Sequence, residues 1–193
     1  MQTRIRVGKL EKLQDTLSQN TAAERLAWAE NMFGPKAVAT SCLGADCAVL
    51  LHMLSKTSPR ARVFVVAPGD LSTETLVSIH EVEKKLGLEV TLLDPQAPTR
   101  TEGEIAIDGG EQLSAALDDA FCWISDTHRR SQNTREGLNV LERLSDGLYQ
   151  LNPLFDWSDE QIAAYAEQHG LPRPSHLPTG TLTSAQVELA TSR

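Results

Sequence analysis

A cluster of basic side chains is the feature of this sequence that most directly suggests chemistry. His128, Arg129, Arg130 and Arg135 place four potentially cationic groups within eight residues. Guanidinium groups bind phosphate and sulfate through paired hydrogen bonds, so the segment predicts an anion site for a small phosphorylated ligand. A solvated basic surface loop is the alternative that composition leaves open.

Two further segments have the composition of strand-to-helix turns. The first comprises Ser41, Cys42, Leu43, Gly44, Ala45 and Asp46. A helix that begins directly after such a turn directs free backbone N–H groups and its positive end at an anion, although a simple tight turn explains the same residues. The second turn, residues 67–75, contains Gly69 and a possible helix cap at Ser72; capping alone accounts for its composition.

The cysteines and histidines predict no metal centre. Cys42 and Cys47 flank the first turn at a spacing that suits neither a zinc pair nor a redox C-x-x-C motif, so we interpret them as packing thiols. The third cysteine is Cys122. His52, His80 and His169 lie within helical patterns without a partner at ligand spacing, which favours structural or surface roles.

Composition limits the class of protein. The chain has 193 residues, 40% of them apolar and 23% charged, which is typical of a soluble globular protein. We expect one α/β domain over residues 1–193, with an N-terminal helical segment at 1–34 and a C-terminal loop or lid at 171–193. A net charge of −8 argues against nucleic-acid binding. No apolar run approaches membrane-spanning length and no secretion signal is visible, which predicts a cytoplasmic protein.

Apolar periodicity predicts alternating helices and strands. Two helices are expected within residues 8–33, and further helices at the apolar stretch 48–54 and near 76–86, 111–120 and 158–170, with a short one carrying Leu138, Leu141 and Leu144. Five strands are expected at residues 36–41, 62–67, 89–93, 121–125 and 148–154. This order predicts a doubly wound, mostly parallel, Rossmann-like sheet with helices on both faces. Ligands of such sheets bind beyond the carboxyl ends of the strands.

Four segments in this order resemble the phosphoadenylyl-sulfate (PAPS) reductase family of the adenine nucleotide alpha-hydrolase-like superfamily. The similarity runs from about Val38 to Ser184. The segment LNPLFDWSDEQIAAYAEQHGLP is similar to the family's N-P-L-x-D-W segment, helix and L-P. SCLGADCAVLLHML resembles its modified pyrophosphate loop, APGDLSTET its D-T-G-x-L-x-x-E-T segment, and FCWISDTHRRSQNTR its strand and arginine loop.

The resemblance implies a PAPS reductase-like protein of sulfate assimilation and cysteine biosynthesis. It implies a ligand, PAPS or adenosine 3',5'-bisphosphate, with the phosphosulfate near residues 41–46 and charged groups near Arg129 and Arg135. Family reductases attack the sulfur with a cysteine near the C-terminus, and thioredoxin or glutaredoxin then releases sulfite from the S-sulfocysteine. No bound cofactor is expected, and without paired cysteines we expect no iron-sulfur cluster.

The sequence departs from the family pattern at several positions. Its last cysteine is Cys122, and the final residues VELATSR contain no E-C-G-x-H-like segment, so the catalytic residues are not identified. Ala67 stands where the family has Asp, and His128 where it has Arg. If reduction occurs, Cys42 is the thiol that the pattern places beside the ligand.

Three functions follow from these departures. The chain is either a PAPS reductase-like oxidoreductase or a catalytically inactive nucleotide-binding subunit with a regulatory or assembly role. An ATP pyrophosphatase is the weaker third hypothesis, because Leu43 and Cys47 replace a Gly and the final Ser of S-G-G-x-D-S. A homodimer or a separate partner subunit remains open for each.

Overall fold

The computed structural model describes residues 7–42, 45–66, 77, 80, 83–88, 90–93, 114–115, 117–126, 139–144 and 147–171. At positions 7, 41, 42, 45–47 and 66 it describes the backbone alone. Residues 94–113 and the C-terminal segment expected to be a loop or lid, after residue 171, lie outside these ranges. None of the described helices is both long enough and apolar enough to cross a membrane.

The chain begins with helices and continues as alternating strands and helices. Helices α1 and α2 and a 3-10 turn precede the first strand, and the full order is α1 (Val7–Gln19), α2 (Ala22–Phe33), Gly34–Lys36, β1 (Ala37–Cys42), α3 (Ala45–Thr57), β2 (Arg62–Val66), β3 (Val90–Leu93), β4 (Cys122–Ser125), β5 (Leu141–Arg143), β6 (Tyr149–Leu151) and α4 (Asp159–Gln168). Residues 77, 80 and 83–86 are helical between β2 and β3, and so are 114, 115 and 117 before β4. The predicted N-terminal helices are confirmed.

Capping residues fix two of the helix starts. The Thr21 hydroxyl accepts a hydrogen bond from the Glu24 backbone N–H while the Glu24 carboxylate accepts one from the Thr21 N–H, which begins α2. Ser158 and Gln161 form the same reciprocal pair at the start of α4. Both capping boxes were readable in the sequence, because the motif satisfies backbone donors within four residues.

The strands form one mixed sheet in the order β3-β2-β1-β4-β6-β5. All neighbouring pairs are parallel except β5 with β6. The predicted doubly wound, mostly parallel α/β fold is confirmed, with six strands in place of the five expected. In β1, Ala37 and Ala39 pack in the larger apolar core with α2, α3 and α4, whereas Val38 packs with Trp123 and Leu117 in a second core.

The predicted short helix around Leu141 is wrong. Residues Leu141–Arg143 are the edge strand β5, and the Leu144 N–H donates to the Leu148 carbonyl at 2.9 Å to close a hairpin onto β6. Gly147 turns this hairpin with a φ of +94°, a conformation that glycine adopts readily. Leucines three residues apart imitate a helical stripe, but pairing with β6 buries Leu141 completely.

A buried arginine joins the N-terminal helices to the segment after β6. Arg25 is 1% exposed and makes a two-pronged ion pair with Asp156, with Nη1–Oδ1 at 2.7 Å and Nη2–Oδ2 at 2.9 Å. Its Nη1 also donates to the Pro153 carbonyl, while Nε donates to Leu17 and Nη2 to Ser18. All five N–H donors of the guanidinium are therefore used. The residue fixes the turn of the N-P-L-F-D-W segment against α1 and α2.

We expect Arg25→Lys to reduce the free energy of unfolding by roughly 2–3 kcal/mol. A lysine ammonium cannot replace the five N–H donors of the guanidinium, so buried carbonyl groups lose their hydrogen-bond partners. Urea unfolding measures the change. Arg62→Lys is the matched control, since Arg62 pairs with the exposed Asp119 and should cost at most about 1 kcal/mol. Equal losses for the two variants would contradict the assigned role of Arg25.

Imidazole and aromatic rings form a cluster between α3 and α4. The ring centroids of His52 and His169 are 4.7 Å apart, and His52 Nδ1 lies 3.0 Å from the Tyr165 hydroxyl oxygen. Burial, followed by the charges of His169, Lys56 and Lys85, lowers the pKa of His52 from its ordinary value of 6.5. Burial raises the pKa of the Tyr165 hydroxyl. His52 is half-buried in this ring cluster, and its pairing with His169 is visible only in the fold.

Because the folded state lowers the pKa of His52, the unfolded chain binds a proton more readily as the pH falls below about 6.5. Stability should therefore decrease as the pH is lowered from 7.5 to 5.5. In His52→Gln this decrease should be smaller, because the variant has no titrating imidazole at that position. Urea midpoints at several pH values measure it, and His80→Gln, at a histidine whose side chain is 78% exposed and lies outside the cluster, should retain the wild-type slope.

Candidate functional site

The carboxyl-terminal ends of three neighbouring strands, β2, β1 and β4, lie side by side. We call this border of the sheet the carboxyl edge. Cys42 at the end of β1 is in register with Val66 at the end of β2, and Thr40 of β1 is in register with Ser125 at the end of β4. The chain moves outward from β1 through β2 to β3, then crosses to β4 on the opposite side of β1. This reversal places a topological switch point between β1 and β4, where sheets of this kind bind ligands.

Buried polar side chains lie at the ends of β1 and β4, next to the switch point. Thr40, Ser125 and Asp126 are between 1% and 3% exposed. The Trp123 indole Nε1 donates to the Thr40 hydroxyl at 2.6 Å, which joins β1 and β4 two residues before their ends. Ser125 and Asp126 each have an interaction partner as well. The two central strands are therefore held in a fixed relation where the predicted site begins.

The structure places part of the predicted first loop. Ser41 and Cys42 are the last two residues of β1, and Asp46 lies in the first turn of α3, which begins at Ala45. The predicted succession of strand, short turn and helix is therefore present in the backbone. Leu43 and Gly44 lie outside the described residues.

The other predicted binding residues lie outside the described ranges. Gly69 follows β2, and the basic residues follow β4: His128, Arg129, Arg130 and Arg135. What the structure does give is the position from which each loop leaves the sheet. The loop with Gly69 leaves after β2 and the basic loop after Asp126, so both leave from strands paired with β1.

Cys122 is the one cysteine whose side chain lies in the part of the chain that the structure describes. It lies in a strand, as the sequence pattern predicted, at the first position of β4, and it is fully buried in the larger core. Burial raises the pKa of its thiol well above the ordinary value. A protonated thiol without solvent access cannot attack a ligand, so Cys122 is a packing residue.

Two cations at the opposite edge of the sheet share one carboxylate partner. Lys36 and Arg62, at the amino ends of β1 and β2, both bind the Asp119 carboxylate, and hydrogen bonds from Lys36 and then Arg62 lower its pKa. Within the described ranges, no group of three His, Cys, Asp or Glu side chains converges as a metal site.

Some residues around the candidate site were missed in the sequence. Asp126 directly follows a predicted strand, and that position alone was the available signal. Gln150 and Asn152 are 2% and 0% exposed beside β4, although polar residues in a short extended segment gave no sign of burial. Arg25 occupies the apolar stripe of α2 between Ala22 and Ala29, and a charged residue on that stripe was the signal for a buried ion pair.

Comparisons with known proteins agree with this architecture. A phosphoadenosine 5'-phosphosulfate reductase of Proteus mirabilis is 28% identical over 181 residues, covering 84% of this chain and 74% of that protein. The reductase of the same name from Erwinia tasmaniensis is 29% identical over 185 residues, covering 86% and 75%.

Solved structures show the same fold at lower identity. The crystal structure of PAPS reductase from Candida auris in a phosphate complex superposes with a TM-score of 0.66 at 20% identity, covering 90% of this chain and 91% of that one. An NH3-dependent NAD synthetase from Campylobacter jejuni superposes with a TM-score of 0.52 at 13% identity, covering 83% and 73%. Both likenesses concern the fold alone.

The family model described as the phosphoadenosine phosphosulfate reductase domain matches residues 36–177, which run from the start of β1 through α4. That match confirms the resemblance inferred from the four sequence segments. The chain belongs to the phosphoadenosine phosphosulfate reductase domain family.

Proposed function

We propose that the chain binds PAPS or adenosine 3',5'-bisphosphate at the carboxyl edge of β2, β1 and β4, as a PAPS reductase-like protein of sulfate assimilation. The observation that carries this proposal is the register of these three strands, because it makes the three candidate loops start from adjacent positions. Relatives that align with most of the chain are named phosphoadenosine 5'-phosphosulfate reductases.

Two kinds of group are proposed to bind the anion. Backbone N–H groups at the start of α3 bind the phosphosulfate, with the turn residues Ser41, Cys42, Leu43, Gly44 and Asp46 around it and Gly69 in the neighbouring loop. Side chains of the basic loop neutralise the remaining charge, namely those of His128, Arg129, Arg130 and Arg135. A local basic cluster of this kind allows a protein of net charge −8 to bind a polyanionic nucleotide.

Reduction of PAPS requires a thiolate at this edge. In the proposed step the thiolate attacks the sulfur, the bond between sulfur and the bridging phosphate oxygen breaks, and adenosine 3',5'-bisphosphate leaves. A thioredoxin-class dithiol then supplies two electrons, becomes a disulfide, releases sulfite and restores the cysteine thiol. Cys42 is our candidate because it ends β1 at the proposed site.

A second candidate function is a nucleotide-binding subunit with a regulatory or assembly role and no reductase activity. The burial of Cys122 favours it, because a buried thiol cannot take part in catalysis and Cys122 is one of the three thiols of the sequence. The two candidates share the ligand and differ in thiol chemistry. A binding assay therefore tests both, and a sulfite assay separates them.

We expect wild-type protein to bind adenosine 3',5'-bisphosphate in titration calorimetry, and Arg129→Ala or Arg135→Ala to weaken binding about tenfold or more through loss of charged hydrogen bonds. Arg143→Ala is the matched control. Arg143 is exposed and lies beside the amino end of β6, away from the proposed site, so its substitution should leave affinity unchanged. No heat of binding by wild type at millimolar ligand would refute the proposed function.

If the chain is a reductase, thioredoxin-coupled sulfite release from PAPS should be lost in Cys42→Ser, because an alcohol is a far weaker nucleophile than a thiolate. Cys122→Ala should retain the rate per folded molecule, since that thiol is buried away from the edge. Unchanged sulfite release by Cys42→Ser would refute Cys42 as the nucleophile. Nucleotide binding without sulfite release by wild type would favour the non-catalytic subunit.

A further inference from the structure

Four basic side chains converge where α3, α4 and the helical residues before β3 meet. The ring centroids of His52 and His169 are 4.7 Å apart. Lys56 follows His52 by four residues on α3, and side chains at that spacing on a helix are neighbours. Lys85 Nζ donates to the carbonyl of Gly170, the residue after His169, at 2.8 Å. We call these four side chains the imidazole–lysine cluster.

The imidazole–lysine cluster has no carboxylate partner in the part of the chain that the structure describes. None of its four members forms an ion pair there. Two carboxylates of the same elements are directed elsewhere: that of Glu83 accepts from the Val90 N–H, and Glu167 lies two positions after Tyr165, on a different side of α4. Grouped cations without a counter-charge create a local positive potential, which attracts anions even to a chain of net charge −8.

The cluster also offers donors that a ligand can reach from solvent. His169, Lys56 and Lys85 are exposed, and His52 is half-buried. His52 Nδ1 lies 3.0 Å from the Tyr165 hydroxyl oxygen, which leaves Nε2 without a partner among the described residues. A protonated imidazole and an ammonium both donate charged hydrogen bonds to an oxyanion.

Charge decides between the two kinds of ligand that paired imidazoles bind. Neutral imidazoles bind transition-metal ions, whereas protonated imidazoles bind anions. Burial, followed by the charges of His169, Lys56 and Lys85, lowers the pKa of His52, and all three of these charges are positive when present. The same lysine charges repel a metal ion and attract an oxyanion. The cluster therefore favours an anion.

We propose that the imidazole–lysine cluster is an anion site for a small tetrahedral dianion of the sulfate type, separate from the proposed nucleotide site. His52 lies seven residues along α3 from Ala45, which is about 10 Å from the carboxyl edge of the sheet. Such a site does not depend on the proposed function. Because a dianion stabilises protonated imidazoles, its affinity rises as the pH falls.

The test uses inorganic sulfate as the probe, since sulfate stays a dianion over the pH range in which imidazoles titrate. Proton NMR follows the ring C–H resonances of the full chain in sodium sulfate and in sodium chloride of equal ionic strength, with the His52 resonance assigned from His52→Gln. We expect the pKa of His52 to be higher in sulfate, and sulfate affinity to be about tenfold tighter at pH 6 than at pH 8. The resonance of His80, which is exposed outside the cluster, should be the same in both salts.

Lys85→Met and Lys84→Met are the matched pair of variants. Both remove one exposed lysine from the same helical segment, but only Lys85 contacts the residue next to His169. Lys85→Met should weaken sulfate binding at His52 by about fivefold or more, and Lys84→Met should behave as wild type. A pKa of His52 in wild type that is equal in sulfate and chloride overturns the proposal, and so do equal losses for the two lysine variants. Sulfate bound at the carboxyl edge would leave the His52 resonance unchanged, so it cannot imitate the expected result.

Discussion

Parallel pairing of β1 with both β2 and β4 is the constraint on which the rest of the structure depends. Parallel strands have their carboxyl ends at the same edge, so this pairing brings together loops that are up to about ninety residues apart in sequence. The strand order reverses between β1 and β4, which is the position where sheets of this kind bind ligands. A proposed anion site built from backbone N–H groups and guanidinium groups requires this juxtaposition.

The N-terminal helices hold in place the segment that follows β6. Arg25 uses all five of its N–H donors to connect α2, the end of α1 and the turn between β6 and α4. The ion pair itself adds little to the free energy of unfolding, because desolvation of a buried charge offsets much of its attraction to Asp156. The main effect of Arg25 is to fix the relative positions of these three segments. Next to this turn, Asn152 donates a hydrogen bond to the backbone carbonyl of Asn139, just before β5. One short segment, residues 150–156, therefore contacts both the N-terminal helices and the chain that leads into β5.

The position of Cys122 shows that the fold of the family and its thiol chemistry depend on different residues. The fold and the family are shown along residues 36–177, whereas Cys122 is enclosed in the core with a raised thiol pKa. In the proposed function, nucleotide binding depends on loops at the carboxyl edge of the sheet, and reduction depends on a thiolate that can reach them. The two properties can therefore be gained or lost independently, which is why the binding function and the reductase activity are proposed separately.

The sequence by itself determined the features that depend on near neighbours and on the order of segments. The capping boxes at Thr21 and Ser158, the apolar strands and the family's four segments could all be identified there, because each is specified within a short stretch of chain. Only the tertiary structure decided that Leu141 belongs to a strand, that Arg25 is buried against Asp156 and that His52 meets His169. These outcomes depend on residues more than a hundred positions apart or on pairing with another strand. No local pattern encodes them, since burial and strand pairing are set by what the folded chain brings alongside.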